Sequence, residues 1–232
     1  MPRLKVYQGV FYVAQLLTLL CNKQNEKQVF YILPFKENTM YNIKATYQGL
    51  VPMMHHRFAN PAGIEGPIKK KKKGRNEADI LAALHHDKKG VYVPADNIRM
   101  MLIGNKHRRG AAKILGSEIE SGKGTEYVSI CSGCIWVLGP DDPMKVYVSP
   151  NRKTYDDVDE RSFINATGSR SMTYRPIINL PWSLTFQIQV TQDNIDQSKV
   201  RQFFDVAGLR CGCCAYGPTF GRCIISEWEV QA

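Results

Sequence analysis

The sequence predicts an α+β fold of the ferredoxin-like type, in which an antiparallel sheet carries helices on one face. Three observations support this class: a strand-type alternation near residue 41, β-rich segments from residue 126 onward, and two segments with helical periodicity. Their order along the chain is strand, helix, several strands, helix, strand. The 232 residues are enough for one large domain.

The domain organisation follows from changes in composition. Residues 1–39 are predicted to be an N-terminal extension, to which no function is assigned, and residues 40–232 a single domain. The apolar run at 8–21 is too short to span a bilayer and contains Gln15, so we interpret it as an amphipathic or partly buried segment. A signal peptide is the alternative. Residues 59–78 are rich in Gly, Pro and Lys and are predicted to form a flexible basic loop.

The first strand is indicated by Tyr41, Ile43, Ala45 and Tyr47, which alternate with polar residues as in a half-buried strand. The segment "EADILAALHH" that follows the basic loop has the periodicity of a short helix, with Ile80, Leu81 and Leu84 on one side.

A second strand–helix unit begins at residue 91. Val91, Tyr92 and Val93 predict a strand, Pro94 ends it, and Asp96 is a candidate cap for a helix that starts at about Asn97. The core-facing residues of this helical region are predicted to be Ile98, Met101, Leu102 and Ile114.

The rest of the chain is predicted to be mainly β. The segments "EYVSICSGCIWVLG", "MKVYVSP" and "SLTFQIQVT" carry β-branched and aromatic residues in partial alternation. The segment "DNIDQSKVRQFFDVAGL" predicts a helix with Asp193 as its cap and Gly208 as its stop. The segment "RCIISEWEV" predicts a closing strand. The apolar stripe of the helix comprises Val200, Phe203, Phe204 and Val206.

The charge of the chain indicates a polyanionic partner. Lys and Arg number 31 against 21 Asp and Glu, which leaves a net charge of +10 and a pI near 9.3. Such an excess attracts nucleic acid or an anionic membrane surface. Since the apolar N-terminal run is short, no membrane association is predicted. Seven cysteines, an odd number, favour free thiols or a metal site in a reducing compartment, which predicts a cytoplasmic protein.

Three basic groups are candidates for contact with a polyanion. Lys69–Lys73 and Arg75 form a run that must stay solvated, either as a solubilising or localisation segment or as a finger along a phosphate backbone. Residues 106–109 either compensate a helix dipole or contact phosphates. Residues 170–182 interleave basic and aromatic side chains, which suits single strands but equally fits a surface strand with Trp182 in the core.

The cysteines allow a metal site as an alternative. Cys131 and Cys134 have the spacing of zinc ligands on a turn. The other two thiolates could come from Cys211, Cys213, Cys214 and Cys223, of which Cys211 and Cys214 have the same spacing. The same residues also fit small side chains within strands. No cofactor is predicted apart from this possible structural zinc.

The adjacent histidines are weak catalytic candidates. His55 and His56 lie where a strand is predicted, so their side chains point to opposite faces and do not act together. One of them is expected to be exposed and inert, or to serve as a general acid or base in metal-independent RNA cleavage. No Walker A, HExxH, GxSxG or kinase signature is present.

The order of several short motifs resembles RAMP proteins, the ferredoxin-like (RRM-like) RNA-binding subunits of CRISPR effector complexes. The matching segments are "YQGLVPMMHHRF", "VYVPADNIRMMLIG", "YRPIINLPWSLTFQIQV" and "AGLRCGCCAYGPTFGRCII". The sequence departs from the family at residues 95–97, where Ala-Asp-Asn replaces small and hydroxyl residues, and in the loop, where cysteines replace glycines. These departures favour a stand-alone relative from a phage or mobile element.

The resemblance implies that the glycine-rich loop lies near a phosphate and that Lys69–Arg75 act as a thumb. Gly208, Gly212, Gly217 and Gly221 allow such a loop to fold tightly and to bring backbone N–H groups to the phosphate. A plain hairpin with glycines at positive φ is the alternative.

We therefore expect a non-catalytic protein that coats single-stranded RNA or DNA as a multimer, with other copies or other ribonucleoprotein subunits as partners. A metal-independent endoribonuclease and a zinc-stabilised interaction or virion protein are the alternatives. The predicted nucleic-acid-binding residues are Lys69, Lys70, Lys71, Lys72, Lys73, Arg75, Arg99, Arg108, Arg109, Arg175, Arg210, Gly212, Gly221 and Arg222.

Overall fold

The computed structural model of the chain describes residues 40–57, 76–164, 168–192 and 194–231, all within the unit Asn38–Ala232. The strands are β1 (Tyr41–Gly49), β2 (Met53–Met54), β3 (Tyr92–Pro94), β4 (Gly104–Asn105), β5 (Arg108–Arg109), β6 (Ile135–Leu138), β7 (Lys145–Ser149), β8 (Asp157–Ile164), β9 (Arg170–Ile178), β10 (Ser183–Val190) and β11 (Cys223–Gln231). The helices are α1 (Glu77–Ala82), α2 (Ala95–Ile103), α3 (Ala111–Ile114), α4 (Gly124–Gly133) and α5 (Gln197–Val206). Helices α3 and α5 continue into the π-helical turns Leu115–Ile119 and Ala207–Cys211.

The main sheet has the order β11–β1–β10–β7–β3, and β6 pairs with the end of β10 that β7 leaves open. Each of these pairings is antiparallel. Two smaller sheets are separate from it, β2–β9–β8 and the hairpin β4–β5. The predicted combination of helices with an antiparallel sheet is confirmed, while the ferredoxin-like arrangement stays a prediction.

Strand β1 and strand β10 bury one face of the sheet. Tyr47 and Phe186 are fully buried, and their rings lie 6.3 and 5.8 Å from the ring of Phe204 on α5. The Tyr47 hydroxyl donates to the Phe204 carbonyl oxygen at 2.7 Å, which satisfies the polar end of a buried ring. Polar side chains such as Thr46 and Thr185 lie on the opposite face, with their hydroxyl oxygens 3.0 Å apart. The alternation in the sequence therefore corresponds to an inner and an outer face.

Trp182 belongs to the core, as the core alternative in the sequence predicts. Its side chain is 1% exposed, and its indole N–H donates to the Val51 carbonyl oxygen at 2.9 Å. Gly49 lies directly against the indole, so that a Cβ at this position would collide with the ring. Trp182 is therefore a packing residue and does not offer its ring to a base.

The helices begin and end at other residues than predicted. Helix α2 begins at Ala95, directly after Pro94, and Asp96 lies in its first turn and provides no side-chain cap. Proline suits the start of a helix because its φ is already helical and it has no N–H to satisfy. Helix α5 is capped by Asp196, whose carboxylate accepts from the Ser198 N–H at 2.8 Å. The predicted cap, Asp193, lies outside the described residues.

The predicted stop of this helix at Gly208 is wrong. The chain continues through the π-helical turn and ends it at Gly212, which has a φ of +72°. Gly208 has another role, because its Cα lies against the Cys223 carbonyl group and leaves no room for a side chain.

Residues 124–133 form helix α4, whereas the sequence predicts a strand there. Tyr127 and Cys131 face the core from this helix, and the ring of Tyr127 packs edge-on against Phe203 at 5.2 Å. The β-branched residues of this segment favour a strand locally, but the packing against α5 determines the helix. None of the helices in the described ranges is long and apolar enough to cross a membrane.

Strand β8 was not predicted from the sequence. Its residues "DVDERSFI" are mostly charged or exposed, and they pair with β9 along the whole length from Asp157–Ile177 to Ile164–Arg170. Because a two-stranded ribbon buries little, its sequence lacks the apolar alternation from which strands are predicted. Through β9, this ribbon is joined to β2 and the histidines that follow it.

Candidate functional site

The glycine-rich loop, residues Gly212–Arg222, is fastened to the segment between β1 and β2. The Ala215 N–H donates to the Met54 carbonyl oxygen at 2.9 Å, and the Gly221 N–H donates to that of Pro52 at 2.8 Å. The Leu50 N–H in turn donates to the Arg222 carbonyl oxygen at 2.8 Å. The loop therefore has a defined place beside β2, which brings it to the strands of the second sheet.

The loop depends on left-handed backbone conformations. Gly212 and Gly221 have φ values of +72° and +70°, and Cys214 and Tyr216 also have positive φ, at 60° and 56°. Both glycine N–H groups donate to carbonyl oxygens of the protein, those of Ala207 and Pro52. The role predicted for these two N–H groups, contact with a phosphate, is therefore not available in this conformation, and the two glycines act by shaping the loop.

Arg108 reaches the loop from strand β5. Its guanidinium donates to the Gly212 carbonyl oxygen at 3.1 Å and lies directly against Gly217, where a Cβ would collide with it. The predicted group 106–109 thus lies in the β4–β5 hairpin, and the last turn of α2 contains no basic residue. Compensation of a helix dipole does not explain these cations.

A second guanidinium, that of Arg175, reaches the loop from β9. Its central carbon lies 4.7 Å from the centre of the Tyr216 ring, and its Nε donates to Nδ1 of His56 at 3.3 Å. The side chain is 8% exposed. An almost buried cation is costly unless its N–H groups have partners, and here an aromatic ring and an imidazole provide them.

A third guanidinium, that of Arg161 on β8, lies over the same aromatic residues. It is 4.9 Å from the ring centre of Tyr216 and 5.4 Å from that of Phe220, and it pairs with Asp159 at 2.6 Å. We call these five side chains the loop cluster. Its members are Arg108, Arg161, Arg175, Tyr216 and Phe220.

Sequence reasoning missed three members of the loop cluster, Arg161, Tyr216 and Phe220. Arg161 was missed because β8 was not predicted. The two aromatic residues stand within "CAYGPTFGR", and aromatic side chains between glycines in a basic protein are a signal for stacking that could have identified them. Among the described residues, neither Arg108 nor Arg175 has a carboxylate at ion-pair distance.

Two more predicted cations lie beside the loop but share an acidic partner. The Glu118 carboxylate binds Arg109 at 2.9 Å and Arg210 at 2.6 Å. The hydrogen bond from Arg210 and the nearby charge of Arg109 lower the pKa of Glu118, so its negative charge is present at neutral pH. Arg222, which follows Gly221, is exposed.

Arg99 lies elsewhere. It donates to the carbonyl oxygens of Ser132 at 2.5 Å and Ile135 at 3.2 Å, and it stacks on Trp136 at 4.3 Å. Its N–H groups satisfy the carboxyl end of α4, a structural role that the sequence did not indicate. The lysines 69–73 and Arg75 lie outside the described residues.

The two histidines have different surroundings. His55 is fully buried, its ring is 5.9 Å from that of His85, and neither nitrogen has a hydrogen-bond partner among the residues that the structure describes. Burial, with a smaller effect of His85, lowers the pKa of His55 to about 3. Burial and the charge of Arg175 lower the pKa of His56 as well. His55 is therefore neutral and cut off from solvent, so only His56 is placed to meet a ligand at the loop.

The six cysteines among the described residues are free thiols that are buried or half-buried. Cys131 and Cys134 lie on and after the last turn of α4, where the sequence predicts a turn or a strand. Cys211 is buried, and burial raises its pKa. Within the described ranges, no three His, Cys, Asp or Glu side chains form a group that could hold a metal ion. The structural zinc site stays a prediction.

Comparison with known proteins gives little further information. No family model and no curated protein matches the sequence. Among the solved structures that match is the cryo-EM structure of the Type III-B Cmr-beta bound to cognate target RNA. One of its chains superimposes with a TM-score of 0.43 at 10% sequence identity, over 98% of this chain and 68% of that one. A similarity of this extent has no bearing on function.

Proposed function

We propose that this protein binds single-stranded nucleic acid, RNA or DNA, at the loop cluster and does not cleave it. The observation that carries the proposal is the meeting of three guanidinium groups from separate segments at one loop. Arg108, Arg161 and Arg175 come from β5, β8 and β9, and each contacts a residue of the glycine-rich loop. Side chains that are remote in sequence thus provide one cationic and aromatic surface.

The chemistry of the loop cluster suits a single strand better than a duplex. Bases of single strands stack on aromatic rings and on guanidinium planes, while backbone phosphates pair with cations. Tyr216 is 46% exposed, and the half-exposed Arg161 guanidinium covers two aromatic rings. Arg108 is not neutralised by a carboxylate of the described residues and is therefore assigned to a phosphate, whereas the buried Arg175 supports the Tyr216 ring from below the surface. The net charge of +10, with Lys69–Lys73 in it, adds long-range attraction.

We further propose that several copies coat one strand, alone or with other ribonucleoprotein subunits. Ile164 and Met172 support contact between copies, because they share one face of the β8–β9 ribbon and are 74% and 50% exposed. Apolar side chains at the end of a projecting ribbon are typical of surfaces that a partner covers. The RAMP-like relationship stays a prediction that would account for such an assembly.

The proposal is tested by titrating the full-length protein into fluorescently labelled single-stranded RNA and DNA of one mixed sequence at several salt concentrations. We expect binding that weakens with salt, with a slope of about 0.7 for each phosphate contact. Arg108→Gln should weaken binding and lower this slope by about 0.7, whereas Arg161→Gln should weaken binding through the loss of stacking surface.

Arg201→Gln is the matched control, because it removes one charge from α5. Arg201 pairs with Asp205 at 3.9 Å, and its guanidinium lies 5.9 Å from the Trp228 ring, away from the loop cluster. An equal loss of affinity in all three variants would show that only net charge matters and would refute the assignment to the loop cluster. Cleavage of the RNA in the presence of a chelator, abolished by His56→Ala, would replace the proposal with the endoribonuclease alternative.

A further inference from the structure

A cavity of about 350 Å³ lies beside the loop cluster, between the β4–β5 hairpin, α3 and the first turn of α4. Arg108, Arg109 and Lys113 line it together with Asn105 and Thr125, and its lining contains no acidic residue. Arg109 shares the Glu118 carboxylate with Arg210, so the uncompensated cations of this concavity are Arg108 and Lys113, and the low-dielectric walls focus their field. The cavity is therefore suited to an anionic group.

The position of the Lys113 ammonium group is not explained by an ion pair with any of the described residues. Its Nζ lies 3.4 Å from the position that a Cβ of Gly124 would take, which places the ammonium at the first residue of α4. The amino end of a ten-residue helix is itself positively polarised, so a lysine there is unfavourable in the absence of an anion. Among the described residues, Lys113 has no carboxylate at ion-pair distance. An anion bound between Lys113 and the hairpin arginines would remove this repulsion.

The cavity also has an apolar part. Ile103 and Val128 line it and are both half-buried. A small ion would leave this part empty, whereas a nucleotide has a flat apolar base to cover it and a phosphate to meet the cations. The volume is within the range of sites that hold small ligands of this size.

Arg108 connects the cavity to the loop cluster. The residue lines the cavity, while its guanidinium donates to the Gly212 carbonyl oxygen in the loop. A strand that passes over the loop cluster therefore reaches the cavity without leaving the protein surface. The cavity has space for about one nucleotide. It therefore suits the end of a strand, because an internal segment would need room both to enter the cavity and to leave it.

We propose that this cavity binds the terminal nucleotide of the strand through its phosphomonoester group. A terminal phosphate carries more negative charge than an internal phosphodiester, which fits a site with two uncompensated cations. Arg108 and Lys113 contact the phosphate, and Ile103 and Val128 contact the base. The inference rests on the nucleic-acid binding proposed above and adds a preference for phosphorylated ends.

The test compares three single strands of one sequence as competitors for the full-length protein, with a 5′-phosphate, a 3′-phosphate or hydroxyl groups at both ends. We expect one phosphorylated strand to bind about tenfold more tightly than the hydroxyl strand, the effect of one charge-assisted hydrogen bond. Lys113→Gln should remove this preference, while its affinity for the hydroxyl strand should equal that of a variant that loses one positive charge outside the cavity. Lys106→Gln is the matched control, since this exposed lysine lies in the β4–β5 hairpin beside the cavity but does not line it.

A second measurement separates this inference from the proposed function. Binding of a nucleoside 5′-monophosphate and of inorganic phosphate is measured by calorimetry with the wild-type protein and Lys113→Gln. If all three strands bind equally, the cavity inference is refuted while the proposed function stands. If no strand binds, the proposed function fails. The cavity is then kept as a nucleotide site only if the monophosphate binds to wild type and not to Lys113→Gln, and is rejected otherwise.

Discussion

Replacing Gly221 with alanine tests the conformation of the loop on which the candidate site depends. Gly221 has a φ of +70°, and a Cβ there would fall inside van der Waals contact of the Cys213 carbonyl oxygen. The left-handed conformation costs a residue with a Cβ about 1–2 kcal/mol. Relief of the collision with backbone requires a shift that costs about 1–3 kcal/mol. We therefore expect Gly221→Ala to lower the free energy of unfolding by roughly 2–5 kcal/mol.

Two other glycines separate these contributions. Gly122 has a φ of +90° and nothing within 4 Å of a Cβ, so Gly122→Ala should show the conformational cost alone, about 1–2 kcal/mol. Gly133 has open space around it in the last turn of α4, so Gly133→Ala should stabilise the protein by about 0.5–1 kcal/mol.

The measurement is urea unfolding followed by tryptophan fluorescence, with the midpoint and slope compared among the three variants. If Gly221→Ala loses no more stability than Gly122→Ala, the close contact between Gly221 and the Cys213 carbonyl group is refuted. Under conditions in which all variants are folded, Gly221→Ala should also weaken nucleic-acid binding. Gly122→Ala and Gly133→Ala should not.

Three further predictions concern charge, core packing and pH. Glu118→Gln should strengthen nucleic-acid binding several-fold and steepen its salt dependence, because it releases two arginines; an unchanged titration would place them outside the binding surface. Tyr47→Phe should cost about 0.5–1.5 kcal/mol in urea unfolding, since it removes one buried hydrogen bond while the Phe204 carbonyl keeps the Ala207 N–H as a donor; no loss would mean that this hydrogen bond adds no net stability. Burial lowers the folded pKa of His55 to about 3 and that of His85 to about 4, so the unfolded chain binds more protons below about 6.5, and each histidine should lower stability by about 1.4 kcal/mol per pH unit from there toward its folded pKa. His55→Phe should flatten this dependence between pH 6.5 and 5, and an equally steep curve would assign it to other groups.

The local sequence pattern was sufficient to predict a strand or a helix where that element faces the core with a regular period. The alternation in β1 and β10 and the stripe of Val200, Phe203 and Phe204 on α5 were predicted and are buried. Periods of two and of 3.6 residues follow from backbone geometry alone, so they can be recognised before any partner is known. The basic character of the protein and the glycine-rich loop as a candidate site were also evident from composition.

The local pattern did not predict the correct element where its packing partners come from remote segments of the chain. The β-branched residues of 124–133 favour a strand locally, yet Tyr127 packs on Phe203 and the segment is a helix. Strand β8 has no apolar period because the ribbon it forms with β9 buries little.

The sequence by itself determined the strand and helix periods, the excess of positive charge and the concentration of glycines near residue 212. Only the tertiary structure decided which cations act together. Arg108 and Arg175 meet at the loop, Glu118 neutralises its neighbours, and Arg99 lies against the end of α4. The physical reason is that the energy of a charge depends on its surroundings within a few ångströms, and residues distant in the chain supply those surroundings.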